Sequence, residues 1–435
     1  MVSHRGIYKD KNAQSNVDEP ANELYYMRLQ TLWSELKRQH KPFWWLCVYF
    51  LFEYIRPQSL YPAIDIIPWG LTCLMLVLVF SILDRETKWV PSSANKTIII
   101  FSVVVALSIM VAHSPIAALN KIDIYLSWLI LYFAFIAIVN NENKLILFIV
   151  FFLLINFKMS QFGARNFLLH GYSSYGVSGS PGWFKDAGDL GHQMIVFVCF
   201  SIAFIVALKK YWSRTKFVLF SLAPITGMLT IIATASRGVQ LGIACTALWF
   251  ILKSKGGLKV LLLISAAGVV FYNLLPPEMI SEFRNAGEDS TSQQRLILWD
   301  IGWETLKEHP FLGVGYYNWL EYCSSQYPFG IPGTRRDHCL VIHNTYISAG
   351  TELGFIGLSL YLLLVLTVFR LNYRTRKLAR DKNDFLYFMA HGSDGGLVGF
   401  LVASTFFDML FYPIFWVQLG ISVAINNIAG KLAHD

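Results

Sequence analysis

The sequence predicts an all-α membrane protein: a polytopic bundle of about twelve transmembrane helices with one long helical loop on its outer face. Of the 435 residues, 55% are apolar and only 15% are charged, and the mean hydropathy is +0.47. A soluble domain does not tolerate that balance. The apolar residues also form long runs, near the ~20 residues that a helix needs to span a bilayer.

Twelve apolar runs are candidate spans. They begin near Phe43, Ile66, Thr97, Ile124, Leu145, Gly191, Phe217, Val239, Leu258, Thr345, Phe385 and Pro413. The first run lacks a small-residue cleavage site, so we interpret it as a signal anchor rather than a cleavable signal peptide. The chain then divides into a tail, spans 1 to 9, an outer loop, spans 10 to 12 and a short tail, at residues 1–42, 43–275, 276–344, 345–430 and 431–435.

Lys and Arg residues orient the bundle. Cytoplasmic loops are rich in these residues, and placing the amino terminus in the cytoplasm puts most of the 36 Lys and Arg residues on that side. The loop 276–344 then faces outward. The net charge of +8 therefore reflects cytoplasmic anchoring and attraction to anionic lipid, and nothing suggests a nucleic-acid partner.

The outer loop contains a predicted amphipathic helix. Pro276 and Pro277 end the preceding helix, and Thr291 with Gln294 fits a capping box. Apolar residues then follow at helical spacing: Leu296, Trp299, Trp303 and Leu306. This stripe predicts a helix that lies near the membrane surface.

Arg237 is the first candidate for a ligand-binding side chain. It lies between Ser236 and Gly238 at the edge of apolar sequence, with no acidic residue nearby in the chain, and a cation there is costly. It either anchors the protein at lipid phosphates or binds a phosphate, with Gly238 allowing the helix reversal that turns it inward. Arg295 and Arg165 fall on the same face, and arginine forks match phosphate oxygens. Three such residues would form a pyrophosphate site, whereas a solvated helix face is the alternative for Arg295.

His343 is the candidate general base. It precedes a predicted helix whose N-cap is Asn344, and the positive end of the helix dipole keeps an imidazole neutral near pH 7. A purely structural role is the alternative. Other histidines compete for the catalytic role: His170, His192, His309 and His338.

Motifs for metal or nucleotide binding are missing from the sequence. It has no His-Glu-x-x-His, no Cys-x-x-Cys and no Gly-x4-Gly-Lys-Ser/Thr pattern, so we expect no metal and no cofactor. Of the six cysteines, Cys323 and Cys339 share the outer loop. In an oxidising compartment these two can form a disulfide.

Five short motifs follow one another in the second half of the chain. They are Ser236-Arg237-Gly238, Arg295 with Trp299, His309-Pro310-x-x-Gly313-Val314-Gly315, His343-Asn344-x-Tyr346 and Glu352-x-Gly354. In this order they resemble the motifs of the O-antigen ligase and polysaccharide polymerase family. The order makes the resemblance specific, since each motif alone is weak.

The resemblance implies a membrane glycosyltransferase of the C-type superfold in the bacterial inner membrane, with its active site facing the periplasm. Members transfer a glycan from undecaprenyl pyrophosphate to lipid A core, to a growing chain or to protein. By resemblance, Arg237 and Arg295 bind the pyrophosphate, Arg165 is a less distinctive third ligand, and His343 activates the acceptor hydroxyl. Four residues would support the site: Asn344, Tyr346, Glu352 and His338.

The chemistry of such a transfer agrees with these residue types. Undecaprenyl pyrophosphate already leaves well, so the enzyme must stabilise its charge and supply a base, without the paired carboxylates of glycoside hydrolases. We expect an O-antigen ligase that acts by direct displacement, with inversion and without a metal. A chain polymerase or a protein O-oligosaccharyltransferase is the alternative within the family. A polysaccharide flippase is the alternative from another class, although it would be expected to show an internal repeat, and the sequence has none.

Overall fold

A computed structural model describes residues 22–253, 287–334 and 337–432. Between residues 254 and 286 it describes 259, 261–262, 265–266, 268–269, 273 and 277–284. All regular secondary structure in these residues is helical. The predicted all-α fold is therefore confirmed.

The helices of the described chain fall into two sets. The amino-terminal set is α1 (Leu29–Arg38), α2 (Lys41–Phe50), α3 (Pro57–Leu60), α4 (Trp69–Leu83), α5 (Ser93–Met110), α6 (Pro115–Leu119), α7 (Ile122–Ile138), α8 (Glu142–His170) and α9 (Ala187–Leu208). The carboxy-terminal set is α10 (Arg214–Ala233), α11 (Arg237–Lys253), α12 (Pro277–Arg284), α13 (Ser290–Glu308), α14 (Trp319–Gln326), α15 (Thr345–Ala379), α16 (Asp384–Ala403) and α17 (Pro413–Lys431).

Seven helical segments of the described chain are long and apolar enough to cross a membrane. They are Ser93–Met110, Pro115–Ile138, Glu142–His170, Ala187–Tyr211, Arg214–Ala233, Thr345–Ala379 and Pro413–Lys431. The predicted polytopic membrane protein is therefore confirmed. Four more predicted spans begin at or near α2, α4, α11 and α16, so the total of about twelve stays a prediction. Most of the ninth predicted span, near Leu258, lies outside the described residues, as do residues 1–21, 335–336 and 433–435.

The centre of the bundle is α9. In the part of the molecule that is described, this helix packs against α8, α10, α11 and α16. In the segment Ala187–Tyr211, 89% of the residues in the most apolar stretch are buried. A helix that is apolar on every face is expected to lie among other helices rather than at a surface.

Helices α11, α15 and α17 begin at the same end of the bundle. The segment between α16 and α17, which we call the 404–412 turn, lies at this end and contacts both α11 and α15. A Cβ atom on Gly238 in α11 would lie 2.9 Å from Cδ2 of Phe406 in this turn. Thr345, the first residue of α15, donates a 2.5 Å hydrogen bond from Oγ1 to the carbonyl oxygen of Phe407. This end of the bundle carries the candidate site.

Helix α15 is interrupted at Gly354, where φ is 68° and ψ is −176°. The segment His309–Gly315 packs into the interruption and forms hydrogen bonds with the backbone groups that lose their helical partners there. The bonds run from Val314 N to Thr351 O (2.8 Å), from Gly315 N to Glu352 O (3.1 Å) and from Phe355 N to Pro310 O (2.8 Å). A broken helix in a membrane protein requires such replacement partners, because its freed N–H and C=O groups are costly to leave unpaired.

Two glycines allow this close approach. A Cβ atom on Gly354 would lie 2.2 Å from the carbonyl carbon of Phe311, and a Cβ atom on Gly313 would lie 2.4 Å from that of Glu352. Both glycines also have positive φ, which other residues adopt only at a cost. The two motifs that are separate in the sequence therefore form one packed unit, which fixes the first part of α15.

The start of α13 differs from the predicted capping box. The N-cap is Asp289, whose Oδ1 atom accepts hydrogen bonds from the backbone N–H groups of Thr291 and Ser292, at 3.1 and 3.0 Å. The predicted capping box of Thr291 and Gln294 is therefore wrong. An aspartate is the stronger cap here because its carboxylate is both a good acceptor and an anion at the positive end of the helix dipole.

The predicted apolar stripe of α13 is only partly buried, and the helix packs inward mainly through other residues. Leu296 and Trp303 are exposed, at 46% and 44%. The buried positions are Leu298, Gly302, Thr305 and Leu306. The small Gly302 lets α13 approach α15, and its carbonyl oxygen accepts a 3.0 Å hydrogen bond from Oγ1 of Thr351. This close contact, rather than the largest apolar side chains, determines which face of α13 turns inward.

Replacing Gly354 with alanine should destabilise the protein. The new Cβ atom would collide with the backbone at Phe311, and an alanine at positive φ costs about 1–2 kcal/mol in addition. We expect the melting temperature of the purified protein to fall by roughly 5 °C or more. Gly430→Ala is the matched control, because no atom lies within 4 Å of the place that its new Cβ atom would occupy, and it should melt like the wild type. Equal melting of Gly354→Ala and wild type would contradict the packed unit.

Candidate functional site

His343 lies at the start of α15, directly before the helix cap. The side-chain oxygen of Asn344 accepts hydrogen bonds from the backbone N–H groups of Tyr346 and Ile347, at 3.0 and 3.1 Å. Asn344 is therefore the N-cap, as the sequence predicts. His343 itself has a left-handed backbone with φ of 57°, which costs about 1–2 kcal/mol for a residue other than glycine. Other contacts must hold it in this conformation.

Asp408, in the 404–412 turn, provides those contacts. Its Oδ2 atom accepts a 2.9 Å hydrogen bond from the backbone N–H of His343, and its Oδ1 atom accepts one from the hydroxyl of Ser348. The backbone N–H of Met409 donates a further bond, of 2.9 Å, to Oγ1 of Thr345. The turn and the first turn of α15 are thus one hydrogen-bonded unit.

The sequence does not predict this role for Asp408. The residue lies 65 positions after His343, in the short segment between two apolar helices. The position of Asp408 in the sequence is the one signal that could have indicated a role, because a carboxylate at the edge of a membrane-spanning segment is costly unless it has partners.

Arg237 pairs with Asp289, the residue that caps α13. Its Nη1 atom lies 2.9 Å from Oδ2 of Asp289. No acidic residue is near Arg237 in the sequence, but the fold brings it together with a carboxylate 52 positions away. The hydrogen bond from Arg237 is the largest cause that holds the pKa of the Asp289 carboxyl well below its usual range, and bonds from Ser292 act in the same direction.

Gly238 has a different role from the predicted one. The left-handed residue before α11 is Ala235, with φ of 52°, so the chain reverses there rather than at Gly238. What Gly238 provides is space, because any side chain at this position would meet the ring of Phe406. The expected helix reversal at Gly238 is therefore wrong.

Arg295 is a largely buried cation. Within the described residues, no carboxylate forms an ion pair with it, and its Nε atom is buried without a hydrogen-bond partner. Its guanidinium carbon lies 5.6 Å from the centroid of the Phe407 ring. Burial lowers the pKa of Arg295, Arg237 lowers it further, and Asp289 and Asp408 oppose these effects. A desolvated cation of this kind is stabilised when an anion comes close to it.

The surroundings of His343 favour the neutral imidazole. Burial lowers the pKa of His343 below its usual value, Asp408 acts in the opposite direction, and Arg295 lowers it again. Burial is the largest of these causes, and it follows from tertiary packing that the sequence does not reveal. A neutral imidazole is able to accept a proton.

Arg165 lies exposed on α8. Among the described residues, no hydrogen bond, ion pair or ring contact joins it to the other two arginines or to the histidine. Its helix does reach the same end of the bundle. A Cβ atom on Gly163 would lie 2.4 Å from Cγ2 of Thr230, which is near the end of α10 and shortly before Arg237.

Two predicted supporting residues attach α15 to its neighbours. The hydroxyl of Tyr346 donates a 2.7 Å hydrogen bond to the carbonyl oxygen of Leu401 in α16. Oε2 of Glu352 accepts a bond of 3.3 Å from the backbone N–H of Tyr317, just after the His309–Gly315 segment. Both residues therefore act on the position of the helix that carries the site.

Cys323 and Cys339 form a disulfide bond. Both are buried in a small apolar cluster that also contains residues of α13, so the bond fixes the chain that leads to His343. His338, next to Cys339, is exposed, and its Nδ1 atom lies 3.0 Å from Oδ1 of Asp337. Within the described chain, no hydrogen bond or ion pair connects His338 with His343.

The site combines a partly buried guanidinium, a second arginine, an imidazole whose pKa burial lowers, and a carboxylate that binds the backbone N–H of the same histidine. No group of three or more His, Cys, Asp or Glu side chains in the described chain is arranged to hold a metal ion. The side chains present suit an anionic group that lies beside a proton acceptor. The fold and the site together define a class of protein: a polytopic helical membrane protein with charged and titratable side chains clustered at one end of the bundle.

Comparison with known proteins finds a family match over part of the chain. Residues 222–362 match the family model described as O-antigen ligase. The match confirms the predicted resemblance to the O-antigen ligase and polymerase family over this region. The matched region runs from α10 into α15 and contains Arg237, Arg295 and His343, whereas Arg165 and Asp408 lie outside it. No curated protein sequence matches the chain.

The imidazole of His343 should titrate below the usual value of about 6.5, because burial disfavours its charged form. In Asp408→Asn the pKa should fall further, since the carboxylate that favours the imidazolium is lost. NMR of the histidine-labelled protein in detergent measures both values, with His343→Ala to assign the signal. A His343 pKa at or above 6.5 in the wild type, or a rise in Asp408→Asn, would contradict this electrostatic account.

Proposed function

We propose that the protein is an O-antigen ligase-type glycosyltransferase. It transfers a glycan from undecaprenyl pyrophosphate to a hydroxyl group of an acceptor, for which lipid A core is favoured, at the periplasmic face of the bacterial inner membrane. The transfer uses no metal and no cofactor. The observation that carries the proposal is Arg295, a partly buried guanidinium with no ion-pair partner among the described residues. It is in electrostatic contact with His343, whose pKa burial lowers.

The leaving group accounts for the two arginines. The bond from the anomeric carbon to the pyrophosphate oxygen breaks, and its electron pair moves to that oxygen, so negative charge develops on the leaving group. Arg295 supplies positive charge to it, and guanidinium forks match phosphate oxygens bidentately. Arg237 is shared between the pyrophosphate and Asp289, and the 2.9 Å ion pair with Asp289 fixes its position before the substrate binds.

His343 is the proposed general base. The acceptor hydroxyl oxygen attacks the anomeric carbon from the face opposite to the leaving oxygen, which inverts the configuration, and its proton passes to the imidazole. Only a neutral imidazole takes up this proton, and burial supports that state. Asp408 is a positioning residue, because it holds the His343 backbone and its charge favours the imidazolium that forms.

The remaining predicted site residues have secondary roles. Arg165 is proposed as a third ligand of the pyrophosphate, since its long side chain lies exposed at the same end of the bundle. Asn344 caps the helix that carries the base, and Tyr346 and Glu352 attach that helix to its neighbours. His338 belongs to the loop that the disulfide closes.

Ligase and polymerase share this site chemistry, so the acceptor is tested separately. Deleting a ligase leaves bare core on a lipopolysaccharide gel and lipid-linked polymer accumulates, whereas deleting a polymerase leaves core that carries one repeat. Loss of glycan from a protein, with normal lipopolysaccharide, would instead indicate a protein O-oligosaccharyltransferase. A flippase needs no base, so its transport would not depend on His343.

His343→Ala should lose at least about a hundredfold in the rate of transfer, as expected when a general base is removed. The assay uses purified full-length protein, the lipid-linked donor and the core acceptor, with product measured by mass spectrometry. His170→Ala is the matched control, since His170 is an exposed histidine on α8, and it should be as active as the wild type. Full activity of a stable His343→Ala protein would defeat the assignment. Retained activity in His343→Ala with loss in His338→Ala would transfer the role to His338.

Arg237→Lys and Arg295→Lys should each reduce kcat/KM by at least about tenfold. Lysine keeps the charge but lacks the planar fork that binds two phosphate oxygens at once. Arg214→Lys is the matched control, because Arg214 is exposed at the start of α10, and it should leave transfer unchanged. Full activity in both site variants would argue against bidentate binding of the pyrophosphate.

A further inference from the structure

A cavity opens at the same end of the bundle as the candidate site. Its volume is about 570 Å³, within the ~300–1,000 Å³ range of small-molecule pockets. Its wall includes the starts of α4 and α7, residues between α2 and α4, and the chain before α9. Tyr412, at the end of the 404–412 turn, also lines it. One turn of the chain therefore borders both the candidate base and this cavity.

Aromatic rings line part of the cavity. Trp69, Trp183 and Tyr412 are half-buried, and the rings of Trp183 and Tyr412 lie 5.1 Å apart. The indole N–H of Trp183 donates a hydrogen bond to Glu53, which fixes the orientation of the ring. Rigid rings with an apolar face and a polar edge suit a ligand that has both kinds of surface, as the two faces of a sugar ring do.

The charged groups of the cavity disfavour anions. Glu53, Asp65 and Asp123 line it, and Arg56 is the one cation among the described lining residues. Asp65 and Asp123 are exposed, and their two carboxylates beside one guanidinium repel a negatively charged ligand. Carboxylates accept hydrogen bonds from hydroxyl groups, so the lining favours an uncharged, hydroxyl-rich ligand.

Gln58 has a buried side-chain oxygen that no hydrogen-bond donor among the described residues reaches. Its side chain lines the cavity and is only 8% exposed. Its Nε2 atom donates a 3.3 Å hydrogen bond to the carbonyl oxygen of Phe52, but its Oε1 atom is buried and has no donor among the described residues. Buried acceptors of this kind are normally satisfied. A hydroxyl group of a bound ligand would satisfy it.

The cavity lies within reach of the candidate base. Asp408 bonds to His343 and Tyr412 lines the cavity. The four Cα-to-Cα steps from Asp408 to Tyr412 span at most about 14 Å of extended chain. A short oligosaccharide is long enough to bridge such a distance. The cavity is therefore placed to hold sugar units next to a reacting sugar at His343.

We propose that this cavity is a saccharide subsite, which binds uncharged sugar units of the glycan while the reacting sugar lies at His343. The inference rests on the proposed function, because it assigns the cavity to the substrates of that reaction. The sugar units come from either the donor glycan or the acceptor, and both present the same hydroxyl chemistry. The subsite orients the substrate and takes no part in breaking or forming bonds.

Binding of free oligosaccharides to the full-length protein in nanodiscs tests the proposal. One probe is the oligosaccharide that mild acid releases from the host's lipid-linked glycan, and the other is the core oligosaccharide released from lipid A. Saturation-transfer NMR measures the affinity of each. The variant is Asp65→Asn with Asp123→Asn, since both side chains are exposed and keep their shape. Asp123→Asn alone is the reserve if the double variant melts at a lower temperature.

We expect one probe to bind, and the double variant to weaken its binding at least about tenfold, as for the loss of hydrogen bonds to charged acceptors. Binding should be unchanged in Glu321→Gln, an exposed carboxylate on α14 outside the cavity. The probe that binds identifies the donor or the acceptor as the source. Binding of neither probe, or equal binding by wild type and variant, would overturn the subsite. The proposed function would still stand in that case if His343→Ala had lost transfer.

Discussion

The hydrogen bond from the backbone N–H of His343 to the carboxylate of Asp408 joins the two chain segments on which the candidate site depends. It holds a histidine with a left-handed backbone at the start of α15. The turn that contains Asp408 also places the ring of Phe407 against the guanidinium of Arg295 and Tyr412 in the wall of the cavity. The base, the buried cation and the cavity therefore share one scaffold, so a shift of this turn would move all three.

The charges at this end of the bundle are only partly compensated. Asp289 compensates Arg237, and Asp408 is engaged by the backbone of His343 and by a serine hydroxyl. Arg295 is left desolvated, without a carboxylate partner among the described residues. Burial destabilises the charged form of Arg295 and also favours the neutral form of His343. An anionic leaving group would stabilise the buried charge of Arg295, and the neutral imidazole could take the proton of an acceptor hydroxyl.

The fold class follows from the sequence because membrane-spanning helices need long apolar runs, and those runs are visible without any tertiary information. Local features were also predictable, such as the Asn344 cap, whose bonds reach only two and three residues ahead. The contacts of Asp289 and Asp408 were not predictable, because their partners lie 52 and 65 residues away. The same limit applies to Gly354, whose requirement for glycine comes from a segment that packs against it. The face of α13 that packs against α15 could not be predicted, because a close contact at Gly302, and not the largest side chains, decides it.

The measurement that tests the central claim most directly is the stereochemistry of transfer by the purified protein. The protein is given a defined undecaprenyl pyrophosphate-linked glycan and a core acceptor, without added metal and in the presence of a chelator, and NMR determines the anomeric configuration of the new linkage. Displacement of an arginine-held pyrophosphate by a hydroxyl activated at His343 predicts a transferred glycan with inverted configuration and free undecaprenyl pyrophosphate in equal amount. Retained configuration, or transfer that the chelator abolishes, would contradict the account.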